Sequence, residues 1–536
     1  MPDLDVLVVG AGFSGLYALH RLREAGFAAR VVERGDDVGG TWYWNRYPGA
    51  RCDIESIDYQ YSFSDDLQRE WNWTERYATQ PEILQYVNHV AERFDLWRDM
   101  QFNTRVTSAT FDERANRWAI ETDQRDRVGA RFCIMATGCL SASRVPDLPG
   151  LDSFQGKWYH TGRWPHEGVD FSGLRVGVIG TGSSAIQSIP IIARQAAHLY
   201  VFQRTPNFSL PANNERLTPD KVQYYKEHFQ EIKEFSRQSP AGMPIVAAER
   251  SALEATPEER DAAFEEGWNE GGFHLVQKFN DLVATPAANE TVADFVRRKI
   301  REVVQDPETA EALLPKDHPL GTKRICIDSN YFETYNRPNV TLVNIRNAPV
   351  EEITPKGVRT GGKEYELDAI VFATGFDAMT GALLAVDIRG RGGLSLRDEW
   401  AAGPRTYLGL QVAGFPNLFT ITGPQSPSVL SNMIVSIEQH VDWIADAMAH
   451  LRERGIETIE ATEAAQDAWV EHVNELANMT LYPQANSWYL GANIPGKPRV
   501  FMPYVGGVGT YAEKCREVVA NGYEGFALGA GAGVPA

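Results

Sequence analysis

Two glycine-rich turns constrain this chain more than any other feature. The first, Gly10-Ala-Gly12-Phe-Ser-Gly15, follows the apolar run Asp5-Val-Leu-Val-Val. The second, Gly180-Thr-Gly182-Ser183-Ser184-Ala185, follows Arg175-Val-Gly-Val-Ile. Each reads as strand, tight turn and helix, the context in which a dinucleotide pyrophosphate sits on a helix N-terminus. One such turn is a weak signal. Two, about a domain length apart, point to two dinucleotides held in one protein.

The residues after each turn separate the two sites. The strand Ala28-Ala-Arg-Val-Val ends at Glu33, about 20 residues past the first turn, where a carboxylate bonds a free ribose diol and repels a 2′-phosphate. The strand His198-Leu-Tyr-Val-Phe-Gln ends at Arg204-Thr205, where a guanidinium and a hydroxyl favour a 2′-phosphate. The first site therefore suits FAD or NAD and the second NADPH. Ala185 replaces a third glycine; the pattern allows this, with slightly looser packing of the second helix.

A chain of 536 residues is too long for one core and predicts two or three domains. Its net charge of −19 and pI near 5.1 argue against a nucleic-acid or anionic-membrane surface, so anionic cofactors must meet local positive sites. The five cysteines, at 52, 133, 139, 326 and 515, show neither zinc nor disulfide spacing. A core strand begins within a few residues of Met1, so no signal peptide is expected, and no apolar run reaches membrane-spanning length. Together these readings predict a cytoplasmic, reduced protein.

The expected architecture is α/β, with two Rossmann-like dinucleotide-binding domains. Residues 1–144 open the FAD domain and 145–207 open the NADP domain. Residues 208–328 form a helical insertion, 329–375 complete the NADP domain, and 376–536 return to complete the FAD domain. The runs Val128–Gly138 and Leu367–Gly375 both end in Ala-Thr-Gly and read as the last strand of each nucleotide unit. In the insertion, Thr218-Pro219 and Asp306-Pro307 place a cap before proline, and Thr256-Pro-Glu-Glu259 completes a capping box. Helices are expected around 436–452 and 462–480. The tail after Tyr523 is expected to be disordered.

The segment Gly39-Gly40-Thr41-Trp42-Tyr43-Trp44-Asn-Arg46-Tyr47-Pro48-Gly49-Ala-Arg51-Cys52-Asp53 concentrates aromatics, glycines and charge soon after Glu33. It should run over the first cofactor. Aromatic faces and glycine backbone suit a flat isoalloxazine better than a nicotinamide.

Three gapped patterns then carry a family resemblance. Phe154-x-Gly156-x-x-x-His160-x-x-x-Trp164-Pro165 lies between the two glycine turns. Gly39-Gly40-x-Trp42-x-x-x-x-Tyr47-Pro48-Gly49-x-x-x-Asp53 precedes it, and Ala373-Thr-Gly-Phe-Asp377 follows. All three match, in order, the signatures of type I Baeyer–Villiger monooxygenases. The chain resembles that family from Asp5 to about residue 527. The stretches Ala402–Leu410 and Asn493–Phe501 are similar to the branch with phenylacetone and steroid monooxygenases. Near relatives carry glycine where this chain has Ala185, a departure expected to weaken NADPH binding little.

The resemblance implies bound FAD, NADPH as reductant, and O2 and a small ketone as reactants, with no obligatory protein partner. It implies a peroxide on flavin carbon 4a that attacks the ketone, and a Criegee adduct that rearranges to an ester or lactone. Arg324 matches the catalytic arginine. A guanidinium about 4 Å from an anion stabilises it by roughly 4 kcal/mol at an effective dielectric of about 20, or about three pKa units. Asp53 matches the acid that positions that arginine. Lys323, Arg204 and Thr205 resemble the 2′-phosphate clamp, and Trp488 matches a mobile-loop tryptophan that holds the coenzyme. Trp44 and Tyr47 should flank flavin or substrate, and His160 should couple the domains. The segment Gly423–Met433 resembles a pocket-lining loop, with Leu430 and Met433 as substrate contacts.

Two other enzyme classes and a non-enzymatic nucleotide-responsive protein compete with this reading. Flavin monooxygenases acting on nitrogen or sulfur share most of the pattern but lack Trp164-Pro165. Disulfide reductases need Cys-x4-Cys near the flavin, and Cys133 and Cys139 have the wrong spacing.

Overall fold

A computed structural model describes residues 3–246 and 248–530. Its frame is two sheets, each built on one of the glycine turns. The first runs in the order 387–389, 106–112, 117–122, 127–135, 3–9, 29–32, 100–101, with 418–420 also paired to 127–135. Asp3–Val9 lies parallel to Ala29–Val32 and to Arg127–Met135. Val6, Leu7 and Val8 are fully buried, which explains the unbroken apolar run: a parallel strand covered on both faces has no solvent side to alternate with. The second sheet is entirely parallel, in the order 340–344, 198–203, 175–179, 369–372, 157–160.

The chain crosses between the sheets twice. Arg389 and its neighbours pair with Ser108–Thr110, and Leu418–Thr420 pairs with Cys133–Met135, so residues beyond 376 add strands to the first sheet. The helix Met433–Arg454 lies on Phe13–Glu24, where Tyr17 Oη donates to Asp442 at 2.7 Å. The two crossings run antiparallel to each other. Asp377 N donates to the Ala142 carbonyl at 2.8 Å and Thr374 Oγ1 to the Arg144 carbonyl at 2.9 Å. His160 lies at this joint, its Nε2 3.4 Å from Thr374 Oγ1 and its Nδ1 accepting from Gly162 N at 3.0 Å. Burial lowers its pKa to about 4, so it sits there as neutral imidazole.

Residues 208–328 are mainly helical. Thr218, Thr256 and Asp306 each accept a backbone N–H at a helix start, and Thr256 with Glu259 forms the full capping box. The segment opens and closes on a short parallel pair, Ser209–Pro211 with Cys326–Asp328. Its Phe264 and Phe295 share one apolar core with Val178, Ile186 and Leu199 of the second sheet and its helix. A fully buried side chain of this size contributes about 1.5–3 kcal/mol, which fixes the insertion on that sheet.

The tail differs from expectation. Phe526–Ala530 forms a strand paired antiparallel to Ile456–Ala461. Phe526 packs its ring 4.9 Å from Tyr407 and 5.5 Å from Trp443, and that aromatic anchor outweighs the glycine content around it. The final Gly-Ala-Gly segment lies outside the described residues. Among the described residues, no helix is long and apolar enough to cross a membrane.

Candidate active site

The two glycine turns are built alike. Gly10 and Gly180 have φ of +110° and +114°, left-handed backbone that favours glycine. A Cβ on either would press to 2.6 or 2.5 Å on the carbonyl oxygen of Ala136 or Ala373. Those alanines open the two Ala-Thr-Gly repeats, so each repeat is the floor beneath one turn. Gly12 and Gly182 are the N-caps of Phe13–Glu24 and Ser183–Gln195, and neither offers a side-chain cap. The first backbone N–H groups of both helices therefore remain free to meet an anion. A Cβ on Gly12 would come within 3.3 Å of Gly40 Cα, whereas one on Gly182 would meet nothing within 4 Å. Gly15 lies beneath its turn against the Gly10 carbonyl rather than on the open side. Ala185 is fully buried at the matching place.

Both turns open into a cavity of about 1190 Å³. Its walls carry Glu33, Gly40, Thr41, Trp42, Trp44, Tyr47, Asp53, Ser183, Ser184, Arg204, Thr205, Lys323, Arg324, Met433 and Trp488. Glu33 is held by the Ala11 and Gly35 N–H groups at 2.9 and 2.7 Å. Trp42 Nε1 donates to Tyr59 Oη at 3.1 Å, and Arg34 stacks 4.3 Å over Trp44.

Arg324 is the best-tethered cation on the wall. Its Nε and Nη2 donate to Asp53 Oδ2 at 3.0 and 2.7 Å, and Nη1 donates to the Val429 carbonyl at 2.8 Å. Asn207 Nδ2 donates to the Arg324 carbonyl at 3.1 Å. Burial opposes the charge, but Asp53 and Tyr489 outweigh it and hold the pKa above the ordinary arginine value. The group is therefore a permanent positive charge on the cavity wall.

Lys323, on the same cavity, has its pKa lowered first by burial and also by the nearby Arg204 and Arg346, against the pull of Asp317. A lysine crowded by two arginines marks a place that welcomes a dianion. Across the cavity, Tyr47 Oη donates to Gln187 Oε1 at 2.8 Å and Gln187 Nε2 donates to the Arg51 carbonyl at 3.1 Å. That joint fastens the loop bearing Asp53 to the helix of the second turn. Burial pushes the Tyr47 hydroxyl up to about 12, so it stays a donor.

Leu430 is not brought to the wall. It is half-buried and packs against the cluster that holds Cys139, Met379, Tyr489 and Met502. Sequence reasoning missed Gln187, Tyr59, Ser487 and Asn493, which do line the cavity. Gln187 could have been found, since it lies four positions past Ser183 on the same helical face. The others sit in loops with no periodic signal.

A family model described as "Flavin-binding monooxygenase-like" matches residues 4–224. The chain is 44% identical to a Baeyer-Villiger monooxygenase of Pseudooceanicola batsensis over 97% of this chain and 95% of the relative. It is 44% identical to acetone monooxygenase (methyl acetate-forming) of Gordonia sp., over 98% and 99% of the two chains. The solved structure of an oxidized steroid monooxygenase bound to NADP superposes with a TM-score of 0.95 at 55% identity, over 99% of this chain and all of that one. This chain belongs to the Baeyer–Villiger monooxygenases. In this member of the family, the three signature patterns lie at distinct structural places. The first carries His160 at the joint between the sheets, the second runs along the cavity from Gly40 to Asp53, and the third forms the returning crossing at Ala373–Asp377.

Proposed function

We propose that this chain is an FAD-dependent, NADPH-consuming oxygenase that inserts one atom of O2 next to a ketone carbonyl to give an ester or lactone. The balance is ketone, O2, NADPH and a proton in, and ester, NADP+ and water out. Residues 1–144 and 376–536 are read as the FAD domain, 145–207 and 329–375 as the NADP domain, and 208–328 as an insertion in the latter.

The residues present fit both cofactors. FAD would lie on the uncapped helix after Gly12, with Glu33 at its ribose and Gly40, Thr41, Trp42, Trp44 and Tyr47 along its length. NADPH would lie on the helix after Gly182 against Ser183 and Ser184, where the space a Cβ would fill is open, with Arg204, Thr205 and Lys323 at the 2′-phosphate and Trp488 over it. Bound flavin, reduced by NADPH, supplies the activation of O2.

Arg324 supplies the fixed positive charge beside which oxygen transfer to a carbonyl builds negative charge. Preorganised charge of this kind is worth about 10²–10³ in rate per donor. Asp53 and the Val429 carbonyl hold the guanidinium on three nitrogens, so little reorganisation is needed when the charge appears. Met433, on the cavity wall, would touch the ketone. Five free, buried cysteines support a reducing, cytoplasmic setting.

The observation that carries this reading is the Asp53–Arg324 pair on the cavity onto which both uncapped helix starts open. The test is purified, flavin-loaded protein given NADPH, air and a panel of aryl, cyclic and steroid ketones. Esters or lactones identified by mass spectrometry support it; NADPH consumption with hydrogen peroxide as the sole product across the panel contradicts it.

A further inference from the structure

Lys233 is a buried lysine that the site described above does not use. It lies on the helix Phe229–Gln238, within the helical segment 208–328, and is 2% exposed. Burying an ammonium is costly unless it is paired and hydrogen-bonded. Its Nζ donates to the Asp58 carbonyl at 2.7 Å, and the Asp58 and Glu438 carboxylates offset part of the burial that lowers its pKa. The same carbonyl accepts from Asn432 Nδ2 at 2.8 Å. Asn432 caps the helix Met433–Arg454, its Oδ1 accepting from Ile434 N at 3.1 Å. One carbonyl oxygen thus ties the helix of Lys233 to the cap of the helix that opens with Met433.

A second relay starts one turn further along. Arg237 Nη2 donates to Ser62 Oγ at 2.8 Å, and Ser62 donates through both its N and its Oγ to the Glu438 carboxylate. The chain just past this helix adds a third link, because Asn432 N donates to the Ala241 carbonyl at 2.8 Å. All three links end on residues 432–438. The turn Ser428–Leu430 is bound to the same place: Ser431 Oγ lies 2.8 Å from Ser436 Oγ and donates to the Ser428 carbonyl at 3.0 Å. That stretch meets the site at two points. Met433 lines the cavity, and the Val429 carbonyl accepts from Arg324 Nη1.

We infer that Lys233 and Arg237 are positioning residues for oxygen transfer, holding residues 428–433 so that Met433 meets the ketone and the Val429 carbonyl meets Arg324. This deepens the function proposed above and rests on it. Neither side chain lines the cavity, so each acts only through the residues it holds. A displacement of about 1 Å at a reacting centre costs up to about 10²-fold in rate, even when its cause is remote. None of the linked residues belongs to either glycine turn, so loss of a tether is felt at the ketone and not at the coenzymes.

The test compares FAD-loaded Lys233→Met and Arg237→Gln with the unaltered protein, using a ketone that the latter converts. Lys233→Met should raise the ketone KM about fivefold and cut the ester formed per NADPH about threefold, with kcat for NADPH consumption within about twofold. Arg237→Gln should raise the ketone KM about threefold in the same pattern. Anaerobic flavin reduction by NADPH should stay within about twofold in both, and the FAD content should not change. A side chain that only maintained the fold would move flavin reduction and FAD content along with the ester yield. Arg237 is 42% exposed, so Arg237→Gln leaves no buried gap and decides the matter alone if Lys233→Met fails to fold. Ketone KM and ester yield unchanged in both variants, or flavin reduction falling in step with ester yield, would overturn the inference. If the unaltered protein converts no ketone, the proposed function itself falls, a result distinct from variants that match a working enzyme.

Discussion

Arg324 and Asp53 stand 271 positions apart in the chain, yet two guanidinium nitrogens converge on one carboxylate oxygen at 3.0 and 2.7 Å. The pair joins the end of the helical insertion to the glycine–aromatic loop of the first sheet. One interaction thus sets the orientation of a cation and the relation of two parts of the molecule.

Asp53→Asn should damage both. The guanidinium keeps its charge but loses its orienting anion, and breaking one side of a partly buried pair costs up to about 3–5 kcal/mol. Ester formation should fall about 10–100-fold with the FAD content retained, measured as product per NADPH consumed. An unchanged ratio would remove Asp53 from the positioning role.

Arg204→Ala should separate the two nicotinamide coenzymes. Charge-assisted bonds to a phosphate are worth about 1.5–3 kcal/mol, so KM for NADPH should rise about 10–100-fold while KM for NADH moves little. Steady-state titration of both coenzymes checks this, and equal rises would contradict it.

Gly182→Ala and Gly12→Ala should behave differently despite their matching positions. The first adds a methyl where nothing lies within 4 Å, and the second pushes on Gly40 at 3.3 Å. Gly182→Ala should keep its melting temperature and FAD but bind NADP+ more weakly. Gly12→Ala should lose FAD. Flavin absorbance and NADP+ titration distinguish them.

Acid should destabilise the protein partly through two histidines. Burial lowers the pKa of His160 to about 4 and of His440 to about 3, against about 6.5 when unfolded. Between those values the unfolded chain binds more protons, so stability rises with pH across that window and is lost as pH falls from about 6.5. Asp58, raised to about 7 by burial, acts in the opposite sense. His440 Nδ1 accepts from Thr422 N at 2.9 Å, so His440→Asn, whose Oδ1 takes the place of Nδ1, should flatten the fall in melting temperature between about pH 6.5 and 4. An unchanged slope would contradict the assignment.

Much of the frame was legible because its causes are local. Apolar runs ending in glycine turns gave the central strands, and Thr218, Thr256 and Asp306 announced their helices. The repeated Ala-Thr-Gly was legible as the end of a strand in each nucleotide unit, although the reason for the repeat, a floor beneath each glycine turn, needed the sheets in place. What stayed hidden depends on tertiary contact. Nothing near Phe526 in sequence reveals the rings of Tyr407 and Trp443 that order it. Leu430 and Met433 are equally apolar, yet Met433 lines the cavity and Leu430 does not. Gln187 and Lys497 act through partners more than 100 positions away, beyond the reach of any local pattern.

Arg324 is proposed to direct activated oxygen onto a carbonyl. The most direct measurement uses ¹⁸O₂ with NADPH and a converted ketone, comparing the unaltered protein with Arg324→Ala. The account predicts one ¹⁸O atom in the ester and near one-to-one coupling to NADPH in the unaltered protein. In Arg324→Ala it predicts labelled hydrogen peroxide with at least a 100-fold loss of ester. Equal ¹⁸O incorporation into ester by both proteins would contradict it.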